Sequence, residues 1–283
     1  MNGIVVIRGA GDVSTGSIQK IHRSGFKIII LESDNPLCIR RTASLTEAIF
    51  DGNSKCEDLS GVRATSLDEC YSIIEDGKIP LIVDKIGFLI PKIKPLAVID
   101  ATISKKNIGT NKSMAPITIA LGPGYEAGVD VDYVIETNRG HNLGRIIFNG
   151  FAAGNTSVPG NIEGYTIERV YYSPVEGIVK VLHDIGSVVQ KGEVICMVND
   201  VPVKAKLNGL VRGMIREGTF VREHVKIADI DPRVNSLNNC FTISDKARNI
   251  GGGVLEALLI GIKHKNIRLY QNDKGQWEVN VGK

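Results

Sequence analysis

The sequence has no apolar run approaching the roughly 18 residues of a membrane-spanning helix. That excludes a transmembrane reading, and the opening MNGIVVIRGAG enters a strand without the charge pattern of a signal peptide, so a cytoplasmic protein is expected. Paired cysteines are also lacking. Cys38, Cys56, Cys70, Cys196 and Cys240 are scattered, odd in number and never in a CxxC pair, which leaves no disulfide framework or thiolate zinc centre. No metal site is expected. Neither sign of charge dominates: 34 basic against 31 acidic residues leave a formal +3 without long runs, which gives no reason to expect nucleic acid or a membrane surface as partner. Aromatic residues are scarce at 5%. What is present is 43% hydrophobic residues over 283 positions, enough for a sizeable core and two or three domains of α/β character.

The most informative stretch is GPGYEAGVDVDYVIETNRGHNLGRIIFNG, from Gly122 to Gly150. Gly122, Gly124 and Gly128 permit backbone angles closed to other residues, so bare N–H groups can turn toward an anion. The apolar strand Val131 to Ile135 then delivers Glu136, Thr137, Asn138, Arg139, Gly140 and His141 at its carboxyl end, where open α/β sheets bind ligands. Glu136 and His141 are the candidate catalytic groups, and Arg145 adds a guanidinium.

The amino-terminal segment reads as strand, glycine turn and helix: Ile4 to Ile7, then Gly9, Ala10, Gly11 and Asp12, then a helical pattern through Ile18 and Ile21. Glu32 ends the next strand, 23 residues beyond Gly9, near the spacing at which a dinucleotide fold sets an acid against a ribose hydroxyl. The third glycine of that fingerprint is Ser14 here, with Gly16 two residues late. A tight structural turn, a phosphate site at the helix start and a dinucleotide site all remain open. Arg40 and Arg41 suit a phosphate by charge-assisted bonding or a solvated surface. Strands at 81–83 and 97–99 end in Asp84 and Asp100, the residue type of helix caps and turns. SKKNIGT, from Ser104, adds Lys105 and Lys106 to the same edge.

From Ser173 to Asp231, short alternating strands broken by glycines form two copies of one pattern, similar to the barrel-sandwich hybrid of biotinyl and lipoyl carrier domains. Those carriers present a lysine at the hairpin tip. Here the tip reads Val198, Asn199, Asp200, Val201, with Lys204 in the following strand, so no biotin or lipoate is expected. Beyond it, ISDKARNIGGGVLEALL offers Ser244 or Asp245 as a helix cap, with a helix break expected at Gly251 to Gly253 and an anion site beside Lys246 and Arg248. The expected architecture is a Rossmann-like parallel α/β domain over 1–165, the β module over 166–235, and a C-terminal helical segment over 236–283 packing back on the α/β part.

Taken together, GAGDVSTG at Gly9, PLCIRRT at Pro36, DATISKKNIGT at Asp100, the Gly122 stretch, DPR at Asp231 and SDKARNIGGGVLEALL at Ser244 resemble the selenium-dependent molybdenum hydroxylase system protein family, the YqeB type. The resemblance covers nearly the whole chain. It implies a cytoplasmic accessory protein, partnered by a molybdenum hydroxylase apoenzyme, that binds molybdopterin cofactor or a nucleotide and assists selenium or cofactor insertion. Under that reading Gly9, Gly11, Asp12, Glu32, Arg40, Arg41, Gly122, Gly124, Thr137, Arg139, Gly140, His141, Arg145 and Lys246 are the cofactor-binding candidates. The alternatives are an NAD-dependent enzyme acting on a small metabolite, with Glu32 as its discriminating residue, and a non-catalytic scaffold docking the hydroxylase. A homodimer is the default assembly.

Overall fold

The computed structural model describes residues 3–156 and 158–280. It divides into two compact units, one built from 1–36, 44–155 and 243–283, the other from 37–43 and 156–242.

The first unit opens with β1 (Ile4–Arg8), α1 (Asp12–Arg23) and β2 (Lys27–Glu32), followed by α2 (Ala48–Asp51), β3 (Asn53–Cys56), β4 (Leu59–Ala64), α3 (Leu67–Glu75) and β5 (Ile79–Val83). Then come α4 (Ile90–Ile93), β6 (Ala97–Asp100), β7 (Ile117–Leu121), β8 (Glu126–Ala127), β9 (Tyr133–Ile135), β10 (Ile146–Ile147) and β11 (Gly150–Phe151). Nine of these strands make one sheet in the order β10-β9-β7-β6-β1-β2-β5-β4-β3. β1 is its centre and is buried at every position, because IVVIR carries no polar group before Arg8.

This sheet corrects the expected Rossmann-like parallel domain. It is mixed, with β3 and β10 antiparallel at its two edges. The segments after β6 and β7 are also loops where a dinucleotide fold has crossover helices, since 101–116 and 122–132 are rich in Gly, Asn, Lys and Asp. The cover over β7, β9 and β10 comes instead from a distant helix, α5 (Asp245–His264), which packs on all three. The chain then ends in a hairpin of Leu269–Gln271 and Trp277–Val279, where a helical segment was expected.

α5 runs unbroken through Gly251 to Gly253, against the expected break. Two of the three glycines are contact points. A Cβ on Gly251 would stand 2.4 Å from the Gly16 carbonyl oxygen, and one on Gly16 would stand 2.1 Å from that of Ala247. α1 and α5 therefore cross with backbones touching. Gly253 meets the Gly144 carbonyl in the same way, at 2.2 Å, and only Gly252 faces open space. Among the described residues no helix is long and apolar enough to cross a membrane.

The second unit holds β12 (Val170–Tyr172), β13 (Gly177–Val181), β14 (Val188–Val189), β15 (Val194–Val198), β16 (Val201–Lys204), β17 (Gly209–Met214), β18 (Phe220–Val221) and β19 (Lys226–Asp231). They form two four-stranded antiparallel sheets, β12-β19-β17-β14 and β16-β15-β13-β18. The expected barrel-sandwich-hybrid-like β module over 166–235 is corrected as well. This unit draws in Leu37–Ala43 from far upstream, with the Met214 N–H donating to the Ile39 carbonyl at 2.8 Å and a Cβ on Gly213 falling 3.2 Å from that same carbonyl oxygen. It also embeds charge beside the strands, where Arg169 (4% exposed) pairs with Asp229 (6%) at 2.9 Å.

Two outcomes are expected from urea denaturation. Gly251→Ala drives a methyl into the α1 backbone and loses about 1–3 kcal/mol, whereas Gly252→Ala, with nothing in the way, gains about 1 kcal/mol from helix propensity. The second outcome concerns Asp58, whose carboxylate is held by Arg23 and Gln19 of α1 and whose pKa falls from its ordinary 3.8 to about 2, first through the Arg23 hydrogen bond. A depressed carboxylate stabilises the fold above its unfolded pKa and loses that contribution as the proton binds. The melting temperature is thus expected to fall between about pH 4 and pH 2, and Arg23→Gln is expected to flatten that slope.

Candidate functional site

Seven parallel strands end on one edge of the large sheet, and register decides what meets there. Arg8 pairs with Asp100 across β1 and β6, so two charges share the buried centre. The Arg8 guanidinium (2% exposed) donates to Asp100 at 3.2 Å, to the Thr110 hydroxyl and to the Lys85 carbonyl at 3.0 Å. Asp100 in turn accepts from the Thr102 hydroxyl at 2.6 Å and the Thr110 hydroxyl at 2.5 Å. Tyr125 is fully buried beside the same carboxylate, its hydroxyl without an aligned partner, and desolvation and then the Asp100 charge push its pKa up. This cluster fixes the loop 101–111 to the sheet. Asp100 stood out in the sequence as a strand-end acid, whereas its partner Arg8, a charge ending an apolar strand, was the signal that was missed.

The strand-end carboxylates are engaged by backbone. Asp84 accepts from the N–H groups of Gly87, Phe88 and Leu89 at 2.8–3.0 Å and so forms the turn into α4. Glu32 accepts from Ala10 N–H and Ser33 N–H, both at 2.7 Å. The acid that a nicotinamide reading needs for a ribose is already bracing the β1–α1 turn. Glu136 (6% exposed) accepts from Asn138 N–H at 2.7 Å and Ala153 N–H at 2.8 Å, which makes it a clamp on its own loop.

The β1–α1 turn is the part of the edge left open. Gly9 takes φ +95° with its α-carbon packed on Ala101, and Ser14, where the third glycine of the fingerprint would stand, donates at 2.7 Å to the Gly9 carbonyl. Gly11 precedes α1 with no side-chain cap, and a Cβ built there meets nothing within 4 Å. Asp12 begins the first turn. Across from it runs the segment 101–106, held between two glycines, since Gly124 (φ +103°) packs against Lys105 and Lys106 as Gly9 does against Ala101. Lys105 and Lys106 are exposed, and Ile103 takes φ +54°, a left-handed angle that strains a β-branched residue. Gly122 (φ +79°) stands against Thr137, which is 7% exposed.

The remaining candidates divide. The loop 138–145 is fastened to α5: Gly144 lies against Asn249, and Arg139 forms a bidentate pair with Asp245 at 2.9 and 3.1 Å. Hydrogen bonding to Asp245 raises the Arg139 pKa. Arg145 is exposed and donates to Asn142, while His141 and Gly140 are exposed, His141 making no hydrogen bond among the described residues. Lys246 is half-buried on the first turn of α5. Arg40 and Arg41 belong to the second unit. Arg40 (5% exposed) donates to the Asn239 and Thr242 carbonyls, and Arg41 to the Met214 carbonyl and to Asp184. Among the described residues no group of three or more His, Cys, Asp or Glu side chains is placed to hold a metal ion.

No family model matches the chain. Over 266 residues it is 46% identical to the uncharacterized protein YqeB of Escherichia coli (strain K12), covering 94% of this chain. That similarity supports the YqeB family. The chain spans about half of that relative's length, 49%. Among solved structures it is matched to an aspartoacylase family protein of Mesorhizobium loti, at 14% identity over 80% of this chain and 84% of that one, with a TM-score of 0.26. A succinylglutamate desuccinylase of Silicibacter sp. TM1040 follows at 10% identity, 81% and 84% coverage and a TM-score of 0.25. At those scores neither lends the chain its fold or its chemistry.

Glu136→Gln replaces one acceptor with a donor facing a backbone N–H. It is expected to cost about 1–3 kcal/mol of stability in urea denaturation, a loss that a solvent-facing catalytic acid would not show.

Proposed function

We propose that the chain binds a phosphate-bearing small molecule at the carboxyl edge of the large sheet, as an accessory protein in the maturation of molybdenum hydroxylases. The observation that carries the binding reading is the start of α1. A helix amino terminus offers N–H groups and positive dipole to an anion, and here no side chain caps α1 and a Cβ on Gly11 meets nothing within 4 Å. Lys105 and Lys106 add exposed positive charge on the loop that follows β6, in which Ile103 holds a strained left-handed angle.

The start of α1 from Gly11 onward fits the phosphate of a molybdopterin cofactor or of a nucleotide and would hold it, since the Gly9 N–H already donates to the Leu31 carbonyl and the Ala10 N–H to Glu32. When bound, the pterin supplies the sulfur ligands of molybdenum. This chain's contribution is to bind and orient, because Glu32, Asp84, Asp100 and Glu136 are committed to backbone or to Arg8 and Thr110. The maturation role itself rests on the family resemblance of the sequence motifs. A nicotinamide enzyme is disfavoured by the same commitment of Glu32.

Gly11→Val tests the binding reading, because φ at Gly11 is −65° and the new side chain enters open space. Calorimetry with molybdopterin, ATP, CTP and NAD is expected to give a Kd for at least one phosphate ligand that the variant weakens by about tenfold or more, with the melting temperature unchanged. Equal affinity in the variant, or no binding across the panel, overturns the reading.

A further inference from the structure

The outward face of α5 carries a feature that the sheet edge does not use. Gly252, Leu255, Glu256, Leu259, Ile260 and Lys263 line a shallow groove of about 380 Å³ along one side of the helix. The opposite side, from Ala247 through Leu258 and Gly261, is the buried one. An ordinary surface helix puts charge on its outward stripe. Here Leu259 stands 50% exposed, Leu255 and Ile260 are half-covered, and Gly252 leaves a notch with no atom within 4 Å of a built Cβ.

The charges on the stripe say which partner fits. Glu256 and Lys263 are its two ionic positions, and they lie symmetrically about a point between Leu259 and Ile260. A two-fold axis through that point turns α5 onto a second α5 running antiparallel. Leu259 of one copy then meets Ile260 of the other at the centre, and Glu256 of each meets Lys263 of its mate. A parallel pair would instead face Glu256 with Glu256 and Lys263 with Lys263. We infer that the chain forms a two-fold symmetric dimer in which the antiparallel α5 helices pack along this stripe. The interface is isologous, so the Glu256–Lys263 pair is made twice, and its charges set the register while Leu255, Leu259 and Ile260 are removed from water.

Symmetry supplies the test. Sedimentation velocity over a concentration series is run on the full chain, on Glu256→Lys, on Lys263→Glu and on the double variant, with circular dichroism melting to check that each is folded. Each single reversal sets like charges together at both ends and is expected to weaken dimerisation by about tenfold or more. The double reversal rebuilds both pairs and is expected to return the dimer to wild-type strength. Leu259→Asp, which needs no charge argument, is expected to give monomer. A monomeric wild type, single reversals that leave a dimer intact, or a double reversal that fails to restore it each overturn the inference.

Discussion

The contact on which the first unit depends is the crossing of α1 and α5 at Gly16 and Gly251. It brings two helix backbones together where a single methyl on either side would collide with a carbonyl oxygen. Close approach there lets Ile250, Val254 and Leu258 of α5 reach the same core as Ile18 and Ile21 of α1. Without α5, the half of the sheet formed by β7, β9 and β10 has no helix over it, because the segments between those strands are loops. The same helix fixes the loop 138–145 through Gly253, Asn249 and Asp245. Helix propensity lost at three consecutive glycines is the cost of this geometry, offset by the burial it permits.

A second constraint acts at the sheet edge, where acids are numerous and almost none is available. A buried polar group must find a partner, and the strand-end carboxylates find theirs in the nearest backbone N–H groups. Glu32, Asp84 and Glu136 each close a turn, and Asp100 neutralises Arg8. That arrangement rigidifies the edge and removes from it the acids that a catalytic reading would use. What remains without a side-chain cap is the start of α1, and Lys105 and Lys106 stand exposed on the loop that follows β6. It is there that the proposed function puts an anion.

Much of this was legible in the sequence where local chemistry decides structure. The apolar runs gave β1, β2, β5 and β6, and a helical pattern gave α3 over Leu67–Glu75. The glycine turn at Gly9 to Gly11 and the positive φ at Gly122, Gly124 and Gly128 follow from the same signals. What was hidden depends on residues far apart in the chain. The glycines of α5 read as a break because propensity is local, whereas their role comes from Gly16 and Gly144. Gly16 looked like a fingerprint glycine arriving late, yet it serves the helix crossing. Arg40 and Arg41 looked like a phosphate clamp until the excursion of Leu37–Ala43 placed them in the second unit. β3 escaped notice because NSKC is a polar edge strand with no hydrophobic alternation.

The central claim, that the open start of α1 holds a phosphate-bearing molecule, is tested most directly by native mass spectrometry. The protein is to be purified without oxygen from a host that makes the molybdenum cofactor. The account predicts a mass above that of the polypeptide, lost on denaturation and matched by a released pterin or nucleotide. A spectrum of bare polypeptide, unchanged when ATP, CTP or molybdopterin is added, would contradict it.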